Sequence, residues 1–282
     1  MKNSLLTLSI AVALIAPFAR AEDDKVTQTQ QPPPPPLPIE QQHSLWNAQL
    51  TEGWDSLYMY RGVNVLRGNS KYGSSLLWTD LNVTLNLTAN DSLTADVWNA
   101  FGMSHSSYKE TDASLTYTHT FGNLFASFGY EFYALTDSRQ YANELQAKIG
   151  YNINVGSVVI TPSVAYFFDL GPNVVTHGAE PCAASYLALR LDSSIPIYKD
   201  IISLTPWIAY GQNFRYNARD RGDGQGAFFD GANNIEVGIA MPIRINKYMT
   251  VSGYGAYSYN FDHLLGTEPS TFWGGAKVTF AF

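Results

Sequence analysis

An alternation of period two, broken by turn signals and resumed over and over from Trp46 to Phe282, constrains this chain more than any other feature. In Thr271–Phe282, Phe272, Gly274, Ala276, Val278, Phe280 and Phe282 fall on one face. Thr271, Trp273, Gly275, Lys277, Thr279 and Ala281 fall on the other. A strand points successive side chains to opposite faces, so one face here is apolar and ends in aromatics while the other carries a charge. A transmembrane barrel requires that pattern, with lipid outside, a polar lumen inside and aromatics at the interface.

Twelve segments repeat the pattern. The first six are Asn47–Val63, Leu76–Leu87, Leu93–Gly102, Asp112–Phe121, Leu124–Tyr133 and Asn143–Tyr151. The second six are Val158–Asp169, Ala184–Asp192, Ile202–Gly211, Asn234–Ile243, Met249–Tyr259 and Thr271–Phe282. Short connections with turn chemistry, such as Ala89-Asn90-Asp91, Gly122-Asn123 and Arg244–Lys247, alternate with mostly longer ones such as Val65–Ser74, Leu170–Cys182, Asn213–Gly231 and Phe261–Glu268. An even count, both ends on one side and this loop asymmetry agree. The reading is an all-β fold: a closed, transmembrane, antiparallel up-and-down β-barrel of about 12 strands, residues 46–282.

Residues 1–21 read as a signal peptide: Lys2 is the positive start, Leu5–Phe18 the apolar run and Ala19-Arg20-Ala21 the cleavage site. Residues 22–45 read as a disordered, Pro-rich periplasmic linker, held extended by Pro32–Pro36 and Pro38. Beyond the leader no run of about 18 apolar residues occurs, which excludes helical spans. Yet the chain is 45% hydrophobic and 14% aromatic, a content that barrels disperse over alternate positions. Losing Lys2 and Arg20 leaves 15 basic against 24 acidic residues, a net charge near −9. That balance argues against nucleic acid as a partner. The single cysteine, Cys182, excludes an intramolecular disulfide and a thiolate metal cluster.

Parity assigns the faces. Leu77, Leu81, Val83, Leu85 and Leu87 oppose Trp78, Asp80, Asn82, Thr84 and Asn86; Leu187, Leu189 and Leu191 oppose Tyr186, Arg190 and Asp192. A Lys or Arg facing lipid at mid-bilayer costs roughly 2–4 kcal/mol, so mid-strand charges are assigned inward. The expected pore-lining set is Arg61, Asp80, Asp96, Glu131, Glu144, Lys148, Arg190, Glu236 and Lys277. Such residues set ion selectivity and orient a polar solute, or pair across the lumen and plug it. Trp78, Trp98, Trp207 and Trp273 also fall inward, as a track for sugar-like solutes or as filling.

Catalytic chemistry is thin. His105-Ser106-Ser107 sets a base beside a nucleophile, with no Gly-x-Ser-x-Gly, and His43, His119, His177 and His263 lack metal-ligand spacing. No enzyme activity, metal or cofactor is expected. The loop Asn213–Gly231 carries Arg221-Gly222-Asp223 and the acids Asp220, Asp223 and Asp230; its simplest role is to fold over or into the mouth.

The run Trp54-Asp-Ser-Leu-Tyr-Met-Tyr-Arg61-Gly62-Val63 resembles the Tyr-x-Phe/Tyr-Arg-Gly-Ile/Val signature of TorF-type porins. That resemblance implies an exported small barrel acting as an outer-membrane channel of undefined substrate. Thr271–Phe282 likewise resembles the C-terminal strand of bacterial outer-membrane barrels, which implies that Phe282 serves the barrel-assembly machinery. The functional expectation is an outer-membrane porin passing small polar or charged solutes. Its expected surroundings are outer-membrane lipid and lipopolysaccharide, as monomer or homo-oligomer. The alternatives are a structural or adhesive barrel with a closed lumen and functional loops, and an outer-membrane hydrolase.

Overall fold

The computed structural model describes residues 45–66, 75–103, 108–135, 140–170, 184–220, 226–261 and 270–282. The leader and linker, His43, His105, Ser106, Ser107, His177, Cys182, Arg221-Gly222-Asp223 and His263 lie outside them. The strands run in chain order as β1 Trp46–Asp55, β2 Met59–Tyr60, β3 Val63–Asn64, β4 Leu76–Asn86, β5 Asp91–Gly102, β6 Lys109–Phe121, β7 Leu124–Leu135 and β8 Gln140–Tyr151. They continue as β9 Ile153–Val155, β10 Val158–Asp169, β11 Ser185–Tyr198, β12 Ile202–Asp220, β13 Gly226–Asn246, β14 Met249–Asn260 and β15 Ser270–Ala281.

Setting aside β2 and β3, each strand pairs antiparallel with its sequence neighbours, β1 with β15, and β10 with β11, so the sheet closes. The short β9 prolongs β8 past Asn152 and pairs with the start of β10, which makes a ring of 12 staves. The seam runs from Gln49↔Ala281 to Asp55↔Gly275. Closure leaves no edge for another chain to extend.

Burial follows parity. In β4 Leu76, Trp78 and Asp80 are buried while Leu77, Leu81, Val83 and Leu85 are exposed. Leu115, Ile149, Val237 and Ile239 are likewise exposed on the outside, a surface suited to lipid rather than water. Exposed aromatics border it at both ends. Trp46, Phe121, Tyr151, Tyr198, Tyr248 and Phe282 lie at the short-turn end; Trp54, Phe101, Tyr141, Tyr166, Tyr259 and Phe272 lie at the long-loop end.

Three expectations need correction. First, the initial strand does not run to Val63. β1 leaves the wall at Ser56, whose N–H makes a last bond to Gly274 O at 2.8 Å, and residues 57–66 turn into the lumen as the β2–β3 hairpin. Its pairs are Met59↔Asn64 and Tyr60↔Val63, turning on Arg61 and Gly62. Second, Asn213–Gly231 is mostly strand: β12 and β13 pair as far as Asp220↔Gly226. Beyond the lipid nothing requires an apolar outer face, so this extension lost its alternation while its ladder resumes past a register shift between Phe214 and Ala218. Third, Glu52 faces outward between Leu50 and Trp54 and accepts a 2.8 Å hydrogen bond from Thr79 Oγ1, so not every strand charge turns inward.

Candidate functional site: the lumen and its inserted hairpin

The lumen is built from the inward positions of the 12 staves and from the hairpin lodged in its long-loop half. Tyr58, Met59 and Leu66 are buried, and Arg61 is 2% exposed. Each side of the hairpin meets a different part of the wall. Tyr58 and Leu66 join Leu76, Trp78, Trp98, Ala100 and Tyr108 in one apolar cluster on β4 to β6. The Tyr58 hydroxyl donates to Glu110 Oε2 at 2.9 Å, and Tyr108 donates to the same oxygen. Burial, then the Glu110 carboxylate, pushes the Tyr108 phenol above its ordinary range. On the other side Met59 packs on Ala256 and Trp273, with Trp207 and Tyr254 against them.

The hairpin tip is held by polar groups. Arg61 Nη1 and Nη2 donate to Glu144 Oε2 and Oε1 at 2.7 and 2.8 Å, a bidentate pair of which neither side chain is more than 2% exposed. The tip's carbonyls are taken by asparagines: Asn233 Nδ2 donates to Arg61 O at 2.6 Å and Asn260 Nδ2 to Gly62 O at 2.7 Å. Asn234 links these to Ser258 at 3.1 Å. Buried carbonyls left unpaired would cost about 1–3 kcal/mol each, so this asparagine cluster fixes where the tip sits.

Toward the short turns the inward surface changes to hydroxyls, amides and charges. Thr51 meets Thr279 at 3.0 Å and Thr84 meets Thr94 at 2.9 Å across strand pairs. Asn82 donates to Asp96 at 3.4 Å and Arg190 pairs with Asp192, while Gln146 reaches up to donate to Glu131, the cross-strand neighbour of Glu144. Asp80, Asp96, Glu110, Asp112, Glu131 and Glu144 stand on β4 to β8 together with Lys148, and Arg190, Asp192, Glu236 and Lys277 stand on β11 to β15.

Of the residues singled out from sequence, Asp80, Asp96, Glu131, Glu144, Lys148, Arg190, Glu236 and Lys277 occupy inward positions of the wall. Arg61 reaches the lumen by another route, on the hairpin and not on a stave. The four tryptophans do not form a track. Trp78 and Trp98 pack beneath the hairpin, Trp273 packs on Met59, and Trp207 donates to Glu236 Oε1 at 2.8 Å under Arg190. Two of the indoles lie across glycines of the neighbouring strand: a Cβ on Gly53 or Gly238 would overlap the ring of Trp78 or Trp207. Missing from the sequence reading were Phe167 and Tyr216, the roles of Tyr60 and Tyr186 around Arg61, and the asparagines at the tip. The signal available for them was parity, which puts Phe167 and Tyr186 inward.

No family model matches the sequence, and no curated protein matches it. Solved structures do share the fold. The COG4313 outer membrane channel from Pseudomonas putida F1 superposes with a TM-score of 0.55 at 10% identity, covering 84% of this chain and 95% of that one. The NanC porin gives a TM-score of 0.52 at 8% identity, covering 83% of this chain and 98% of that one. At such identities the likeness establishes an outer-membrane-type barrel fold and no more. The expectation that the chain is not an enzyme is corrected. Outer-membrane enzymes also occur among the similar barrels, with LpxR from Salmonella typhimurium at a TM-score of 0.48 and 10% identity over 82% of this chain and 99% of that one. A barrel fold by itself carries no argument against catalysis, because function resides in the site and not in the fold.

Proposed function

We propose that this protein is an outer-membrane channel for small polar or charged solutes, narrowed in its long-loop half by the β2–β3 hairpin. The observation that carries the reading is the hydroxyl- and charge-bearing inward surface between the hairpin and the short turns. A barrel whose interior served only as a core would be filled there with apolar side chains. The named barrels of like fold, a channel and a porin, support the same class. In this reading the leader exports the chain, residues 22–45 lie in the periplasm with the short turns, and the long loops face outward from the cell. Phe282 then addresses the assembly machinery, and Asp80, Asp96, Glu131, Lys148, Arg190, Glu236 and Lys277 tune selectivity.

A second reading, a closed barrel that acts through its loops, is favoured by one observation: the hairpin packs on both flanks of β1, on β4–β5 and β14–β15, while its tip reaches across to Glu144 on β8, and it is buried there. Conductance in planar bilayers separates the two. The channel reading expects discrete steps from the purified protein, and larger ones when residues 57–66 are replaced by a short Gly/Ser link. No steps from either protein at any voltage would overturn it.

A further inference from the structure

Arg61 is an unfavourable residue for the place it occupies. A two-residue hairpin turn with both central residues at positive φ favours Asn, Asp or Gly, and a bulky side chain is an outlier there. Arg61 has φ 47° and Gly62 has φ 80°. The side chain must therefore compensate through its contacts, and those contacts make a recognisable binding box. The guanidinium carbon lies 4.3 Å from the Phe167 ring centroid, 4.4 Å from Tyr216, 5.1 Å from Tyr186 and 4.9 Å from Tyr60. Glu144 takes two of its nitrogens at 2.7 and 2.8 Å.

Only Tyr60 belongs to the hairpin. Glu144, Phe167 and Tyr186 stand on paired positions of β8, β10 and β11, and Tyr216 on β12 at a register shift, its hydroxyl 2.8 Å from that of Tyr60. Phe167 and Tyr186 are direct partners across β10 and β11. The Tyr186 hydroxyl donates to Asn234 Oδ1 at 3.2 Å, and the ring occupies space that a Cβ on Gly211 would take. Tyr133 donates to Glu144 Oε1 at 3.2 Å and orients the carboxylate. Three aromatic faces and a carboxylate presenting both oxygens are complementary to a planar, charged fork.

We propose that this wall box is a binding site for small guanidinium solutes, and that Arg61 is its built-in occupant. A free guanidinium compound then competes with the hairpin tip, and its binding favours the state in which the hairpin has left the wall. A ligand shifts such an equilibrium only by its preference for one state, and here that preference is complete because the two occupants share the same atoms. An occupant tethered nearby acts at an effective concentration on the order of mM, so the intact protein binds weakly by design of the tether. The site lies in the lumen of the proposed channel, but its occupancy does not depend on conduction and is measured without it.

The test is calorimetric titration of the folded, detergent-solubilised full chain with methylguanidinium, with neutral methylurea as the isostere and tetramethylammonium as a cation lacking the fork. Methylguanidinium is expected to bind Arg61→Ala at least about tenfold more tightly than wild type. That binding should vanish in Arg61→Ala/Glu144→Gln, and methylurea should not bind. Equal affinity for wild type and Arg61→Ala, insensitivity to Glu144→Gln, or methylurea or tetramethylammonium binding as well as methylguanidinium would overturn the proposal. If Arg61→Ala does not yield a heat-modifiable barrel, amide exchange of residues 57–65 in wild type decides. Methylguanidinium should accelerate it where methylurea at the same concentration does not, and no difference sinks the site. A barrel that binds methylguanidinium but never conducts keeps the site and loses the channel. One that conducts but does not bind loses only the site.

Discussion

The two halves of the lumen are lined by the same staves with the same alternation, yet they do opposite things. Near the short turns the inward side chains are Thr, Ser, Asn and Gln with charges of both signs, half-buried, and bonded mainly to cross-strand neighbours. Near the long loops the inward side chains are aromatic, carboxylate or Asn, and they bond to a hairpin that is remote in sequence, as Glu144 does to Arg61. The wall thus resembles a conduit in one half and a socket in the other. What differs is whether the inward groups satisfy one another or wait for a partner from elsewhere in the chain.

Taking the plug away should have the largest effect. Replacing residues 57–66 with a Gly/Ser link is expected to raise single-channel conductance several-fold, because the socket half would then be as open as the conduit half. Unchanged conductance would place the constriction elsewhere. Next comes Glu144→Gln. Removing one partner of a buried pair leaves the other uncompensated, at a cost of about 3–5 kcal/mol. The loss should appear as faster amide exchange in residues 57–65, while the barrel keeps its heat-modifiable mobility. A Glu144→Gln/Arg61→Ala protein should recover part of that loss, and strict additivity of the two substitutions would argue against direct coupling.

The conduit was legible in the sequence because it obeys a rule with a period: apolar residues to lipid, polar ones inward. Leu81 and Asn82, or Leu189 and Arg190, declare their faces by neighbours alone. The socket was not legible, because a hairpin inside a barrel is itself made of strands. Leu57 to Asn64 stays rich in strand-forming residues (Tyr58, Tyr60, Val63), so composition does not mark where the chain leaves the wall. The Arg61-Gly62 pair was the available sign, but it is a weaker turn signal than Asn-Gly, and its positive φ values are visible only in three dimensions. Which carboxylate would meet Arg61 was equally hidden, since Glu144 is 83 residues away.

A smaller effect separates the inner and outer faces of the wall. Gly238 lies under the Trp207 ring on the lumen side, and a Cβ there would overlap it. Gly238→Ala should therefore displace the indole from Glu236 and cost about 1–3 kcal/mol, read as a lower urea midpoint in vesicles. Gly253 has open space around its would-be Cβ, and Gly253→Ala should leave that midpoint within about 0.5 kcal/mol. Equal responses would mean that the inward indoles shift freely and do not set the lumen's shape.

The smallest effect concerns Glu52, where parity and the cost of charge disagreed and parity won. Leu50, Glu52 and Trp54 share the outer face, with Trp54 marking the aromatic border two residues on, about 7 Å along the strand. A carboxylate that close to the interface carries a penalty nearer about 0–1 kcal/mol than the mid-bilayer figure, and the Thr79 hydroxyl lowers it further. Glu52→Leu should thus raise the urea midpoint in vesicles by no more than about 1 kcal/mol. A clear loss of stability would mean that Glu52 meets a polar partner in the membrane plane. The outer face would then, like the socket, wait for a group from elsewhere.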